Sequence, residues 1–122
     1  MDEPAPAAMA IDRRALDQLR GLTGEAGSDL VNELVDLFES TSAETITDLR
    51  ASVARGEAAA AARLAHSLAG SALTLGASGI ASLARRMQDL ASTARLDLLP
   101  ALIDETEALL KPTLAGLRES QP

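Results

Sequence analysis

An all-α fold, an antiparallel four-helix bundle with a short additional N-terminal helix, is what this sequence predicts, and three observations carry it. The apolar residues, 47% of the chain, are almost all Ala and Leu, and Phe38 is the sole aromatic, so helix propensity is high and strand propensity low. Apolar positions recur at spacings of three and four residues. The breaks between periodic stretches are short, which makes consecutive helices antiparallel neighbours. A chain of 122 residues has room for one domain with a real core.

Residues 1–10, with Pro4 and Pro6 among alanines, carry too little bulky apolar surface to pack and are expected to form a flexible lead-in. The bundle is expected over 11–118, with 119–122 a frayed tail. Asp12 can cap a first short helix with Ala15, Leu16, Leu19 and Leu22 at helical spacing, and Gly24 breaks it. Ser28 and Asp29 suit the start of a second helix that buries Leu30, Leu34, Leu37, Phe38, Ile46, Leu49 and Val53 and ends at Arg55-Gly56. About 26 residues at 1.5 Å each make it roughly 39 Å long, so its partners must be long or stacked end to end.

A third helix is predicted over Glu57 to Leu75, with inner residues Ala61, Leu64, Leu68, Ala72 and Leu75, closed by a left-handed Gly76. Ser78 can cap a fourth, reaching about Ala94, with Ile80, Leu83, Ala84, Met87, Leu90 and Ala91 inside. Asp97 can cap a last helix burying Leu98, Leu102, Ile103, Leu109 and Leu110, in which Pro100 is early enough to be tolerated. Pro112 is not early, so a kink or stop is expected there, with fraying from Arg118.

Composition narrows the function. Without cysteine there is no disulfide, zinc ribbon or thiol nucleophile. A formal charge of −7, no Tyr or Trp and no Lys/Arg run argue against nucleic acid and anionic membranes, leaving proteins as the expected partners. The N-terminus does not resemble a signal peptide and no apolar run is long enough for a span, so a soluble, cytoplasmic monomer is expected. One histidine with scattered carboxylates has no metal-ligand spacing. A hydrolase built on Ser67 or Ser71 lacks a nucleophile elbow.

His66, the single histidine, lies about 200° from Leu64 on the helical wheel and so faces away from the predicted inner stripe. Ala62, Arg63, Ala69, Gly70 and Leu73 are read as its outer strip, open to a docking partner together with positions near Leu34. Gly70 costs on the order of 1 kcal/mol relative to Ala inside a helix, in a chain that otherwise uses Ala wherever a small helix former is needed. Clearance for a partner beside His66 explains that; so does a helix–helix contact beside an ordinary solvated histidine. Periodicity does not choose between them.

The segment Ala65-His66-Ser67-Leu68-Ala69-Gly70-Ser71-Ala72, with Leu75-Gly76-Ala77 and Leu83 after it, resembles the signature of histidine-containing phosphotransfer (HPt) domains, and the similarity runs from about Leu16 to Leu117. The resemblance implies a four-helix bundle in which His66 carries a phosphoryl group between receiver-domain aspartates of a two-component relay. It implies receiver domains or a hybrid histidine kinase as partners, Mg²⁺ held by the receiver, and no cofactor of the chain's own. An imidazole, with an ordinary pKa of about 6.5, is a competent nucleophile near pH 7. Gln88 matches the family's group that orients the ring by accepting from its other nitrogen. Where the family usually has a lysine that neutralises the phosphoryl group, this chain has Ala69; Arg63, Arg85 or Arg86 could stand in. A bundle that binds a receiver or kinase without carrying phosphate is the alternative, and an ATP-binding kinase fragment is disfavoured because no glycine-rich phosphate loop is present.

Overall fold

The structure, a computed structural model, describes residues 11–23 and 27–119 and consists there of five α-helices. They are α1 (Arg13–Thr23), α2 (Gly27–Ala54), α3 (Ala58–Leu75), α4 (Ser78–Ser92) and α5 (Leu99–Glu119), with one 3₁₀ turn at Leu96–Leu98. α2 packs on α3 and α5, and α4 packs on the same two, so α2 to α5 close a four-helix ring while α1 lies against α2 and α3. The predicted lead-in at 1–10, the break at Gly24 and the tail residues 120–122 lie outside the described residues.

The ends of these helices follow from local chemistry. Asp12 Oδ1 accepts the backbone N–H of Arg14 at 3.0 Å, the N-cap expected of it. Gly76 closes α3 at φ 82°; its N–H donates to Leu73 and that of Ala77 to Ala72, a paired C-cap that satisfies two terminal carbonyls. A Cβ on Gly76 would collide with the carbonyl of Asp12, whose own N–H donates to the Gly76 carbonyl at 2.6 Å. The turn between α3 and α4 is thereby also the seat of the chain entering α1.

Several expectations are corrected. α2 begins at Gly27, ahead of Ser28, and its N-terminal half buries Val31, Val35 and Phe38, leaving Leu34 half-buried and Leu30 and Leu37 38% and 57% exposed. The valines set the buried arc, and the leucines flank it. Ser78 is the first residue of α4, whose N-cap is Ala77 without a side-chain bond. α4 stops at Ser92 because Ala94 turns left-handed at φ 59° and the N–H groups of Ala94 and Arg95 return to Ala91 and Leu90. This is the same cap as at Gly76, built without glycine. Leu98 is 43% exposed in the 3₁₀ turn, and Leu99 takes the buried place.

Pro112 does not stop α5, which runs unbroken from Leu99 to Glu119, and Arg118 lies inside it. The missing hydrogen bond and ring clash cost about 3 kcal/mol in a free helix, but Leu109, Thr113, Leu114 and Leu117 are buried on both sides of the proline and hold α5 on the core. Arg118 bridges Asp36 at 2.7 Å and Glu39 at 2.9 Å, and Arg50 bridges Asp104 at 2.8 Å and Glu107 at 3.0 Å, pinning α2 to α5 at two places. Hydrogen bonds to Glu107 and then Asp104 raise the Arg50 guanidinium above its ordinary value, as those to Asp36 and then Glu39 raise Arg118. Such exposed pairs add little each; their use is to set the α2–α5 register.

Thr113 Oγ1 is buried without a hydrogen-bond partner. Thr113→Val exchanges the hydroxyl for a methyl of nearly the same shape and is expected to stabilise the fold by about 1 kcal/mol. A thermal or urea melt reads this, and an unchanged or lower midpoint would show that the hydroxyl is satisfied.

Candidate functional site

α3 is held on three sides, by α1, α2 and α4, and its buried arc, Ala61, Ala65, Leu68, Ala69, Ala72 and Leu75, is correspondingly wide. His66 lies outside that arc and is exposed. Its Nδ1 stands 3.4 Å from Oε1 of half-buried Gln88 on α4, at the long end of hydrogen-bond range. In that arrangement Nδ1–H donates to the amide oxygen and Nε2, at the far end of the ring, keeps its lone pair.

The residues singled out from the sequence separate into three groups. Ala62, Arg63, His66, Ser67 and Gln88 line one shallow depression, so Arg63 and Gln88 are brought to the histidine. Gly70 and Leu73 are exposed farther along α3, Leu73 by 41%. Ala69 is the correction: at 4% exposure it belongs to the core, not to the outer strip, and offers a partner almost no surface. Three residues beyond His66, it falls on the rim that α4 covers, which a wheel centred on Leu64 could not reveal because Leu64 itself is only half-buried.

Gly70 has a sharper meaning in three dimensions. A Cβ built there meets nothing within 4 Å among the described residues. No helix–helix contact among those residues accounts for the glycine.

Sequence reasoning missed a surface beside the histidine. A groove of about 360 Å³ runs between α2 and α3, lined by Leu34, Leu37 and Phe38 on one wall and Ser67, Ser71 and Thr74 on the other. Leu34 is expected at a docking surface and lines the groove; Leu37, expected inside, lines it as well. The signal was the stretch Val31 to Phe38, with more apolar residues than one buried face of a helix can absorb. Among the described residues, no group of three or more His, Cys, Asp or Glu side chains converges as a metal site would require. None of the described helices is long and apolar enough to cross a membrane.

Comparison with known proteins supplies the family. A family model described as the Hpt domain matches residues 33–119. The fold is similar to the crystal structure of histidine-containing phosphotransfer protein B from Pseudomonas aeruginosa PAO1, with a TM-score of 0.80, 25% identity, and coverage of 90% of this chain and 92% of that one. No curated protein sequence matches the chain at a significant level.

Two measurements probe this geometry. Gly70→Ala is expected to raise stability by about 0.5–1 kcal/mol, because the helix gains and nothing clashes; a lower melting midpoint would reveal a hidden internal contact. ¹⁵N spectra of His66 are expected to show the neutral ring protonated on Nδ1, and Gln88→Leu to shift it toward the Nε2–H tautomer. The same tautomer in both proteins would remove Gln88 as the orienting group.

Proposed function

The chain belongs to the Hpt domain family, the phosphocarrier modules of two-component signalling, and on that premise we propose that His66 accepts a phosphoryl group from one receiver aspartate and passes it to another. The observation that carries the reading is the exposed imidazole whose Nδ1 faces Gln88. In the forward step the Nε2 lone pair attacks phosphorus of the aspartyl phosphate. An N–P bond forms, the O–P bond breaks, and the aspartate leaves as a carboxylate with the bonding pair. The reverse of this step on a second receiver regenerates the neutral ring.

As Nε2 gives up its lone pair the ring becomes positive, and Nδ1–H becomes a better donor. The bond to Gln88 is therefore worth more in the phosphorylated and transition states than in the resting one. Gln88 acts as a positioning residue, fixing the tautomer and ring plane. Arg63, in the same depression and without an ion-pair partner among the described residues, is assigned to the phosphoryl charge, in place of a cation at Ala69. Gly70 clears the approach of the partner, whose own Mg²⁺ and acidic pocket supply most of the charge stabilisation. The chain itself needs no cofactor and acts as a carrier more than as an enzyme.

Docking is assigned to the α2–α3 groove, whose α2 wall carries half-buried Leu34 and exposed Leu37, and to exposed Leu73 on α3. An apolar helix of the partner laid there buries surface that this fold leaves open. A second reading, a bundle that binds such a partner without carrying phosphate, is favoured only by Ala69, which puts no cation at its position.

Incubation with phosphorylated receiver domains separates the two. Transfer predicts an acid-labile label on the wild type and none on His66→Gln. Absence of label on the wild type, with binding retained, would establish the adaptor instead.

A further inference from the structure

The hydroxyls in the middle of α2 are engaged by the helix itself: Ser40, Thr41, Ser42, Thr45 and Thr47 each donate to a carbonyl three or four residues back. Ser52 is the exception. It is 6% exposed, its side chain forms no hydrogen bond among the described residues, and it lines a depression of about 350 Å³ in the α2–α3 seam. A hydroxyl withdrawn from water and left unpaired has lost hydrogen bonds that a ligand in that depression can restore.

Two antiparallel stripes build the depression. Asp48, Ser52 and Arg55 follow one another at helical spacing on α2, as Ala60, Arg63 and Ser67 do on α3. In the turn between them Gly56 is left-handed at φ 69° and the Glu57 N–H donates to the Ser52 carbonyl at 2.9 Å. This sets Arg55 near the start of α3 and leaves Asp48 toward the Ser67 end. Glu57, the N-cap of α3, makes no side-chain bond, so the first turn, whose Ala60 forms part of the wall, keeps its positive end uncapped. Arg63 has no ion pair among the described residues, and Arg55 reaches Glu57 only at 4.0 Å, the limit for one. Asp48 shares the depression with both arginines and is within ion-pair distance of neither.

Two guanidiniums, a helix N-terminus and an unpaired buried hydroxyl suit an anion; the unpaired carboxylate among them suits only an anion that carries a proton to donate. We infer that the seam binds inorganic hydrogen phosphate. Arg55, Arg63 and Ser52 donate to its unprotonated oxygens, and the Asp48 carboxylate accepts its P–O–H. Phosphate keeps one such proton at neutral pH. Sulfate has none, and a phosphate monoester, with a second pKa of about 6, has largely lost it. Either would set a bare oxygen against Asp48, so the carboxylate makes the site selective. Arg63 also lines the depression of His66 and is common to both. Binding in the seam needs neither a phosphorylated His66 nor a partner protein.

The experiment follows ¹H–¹⁵N spectra of the full chain as sodium phosphate, sodium sulfate or methyl phosphate is added at constant ionic strength and about pH 7.5. Phosphate is expected to give saturating shifts of the Ser52, Arg55 and Ala60 amides and of the Arg63 side chain, with one dissociation constant. Sulfate and methyl phosphate should bind at least about tenfold more weakly. Arg55→Gln is expected to weaken phosphate by about tenfold, and Ser52→Ala by about threefold or more. Asp48→Asn should remove the preference, bringing phosphate and sulfate within about twofold of each other. Arg85→Gln, outside the depression, keeps the wild-type constant, and the spectra themselves show that each variant is folded. Shifts that grow without saturating, or a phosphate constant unchanged in Arg55→Gln, would overturn the site. A wild type that takes sulfate as tightly as phosphate, or an Asp48→Asn protein that still prefers phosphate, would overturn the assignment of its ligand.

Discussion

Close approach of α3 and α4 is achieved with alanine: Ala65, Ala69 and Ala72 on one helix and Ala81 and Ala84 on the other are buried to 4% exposure or less. Small side chains let two helices sit near the short end of the usual 8–10 Å spacing. The tight turn at Gly76 and Ala77 then sets the register between them. The functional geometry follows from these two constraints. A wider seam would put the amide of Gln88 out of reach of the imidazole, and a shift of one residue would rotate it by about 100° away from the ring. The alanine content that makes the composition look bland is what allows a half-buried glutamine on one helix to hold an exposed histidine on another.

That dependence explains how legible the sequence was. Helix number and order, the Gly76 stop, the Asp12 cap and the outward face of His66 could be read because each is a local property of the chain. Ala69 could not. Its burial is imposed by α4 lying against α3, and a wheel drawn for α3 alone has no means to represent a neighbour on its flank. The leucines of α2 failed for a related reason: leucine is the stronger hydrophobe on any scale, but Val31 and Val35 point inward, and the ring of helices decides which arc is inward. Ala94 hid a helix stop because a left-handed alanine carries no compositional signal. Pro112 misled in the opposite direction, since propensity measured in a free helix ignores the buried residues that hold α5 down on either side.

Stability and function are drawn from different faces of the same helices. The far side of the bundle is fastened by Arg50 and Arg118 to acids across the α2–α5 seam. Around His66 the chain forgoes such fastening. Gly70 lacks a side chain where one would fit, Leu37 and Leu73 remain wet, and Arg63 has no carboxylate in ion-pair distance among the described residues. Each of these is a small loss to the isolated fold, and the docking proposed above would recover it.

The exposed leucines of α2 carry an implication for how such a protein diversifies. Because Val31, Val35 and Phe38 hold the helix in the core, Leu30 and Leu37 contribute little to folding, and neither lies at the His66–Gln88 contact. Substitutions there can accumulate without unfolding the domain or disturbing its imidazole. On the proposed docking, a duplicated copy of this chain would drift toward a new signalling circuit by changing one stripe of one helix, with the His66–Gln88 contact inherited whole.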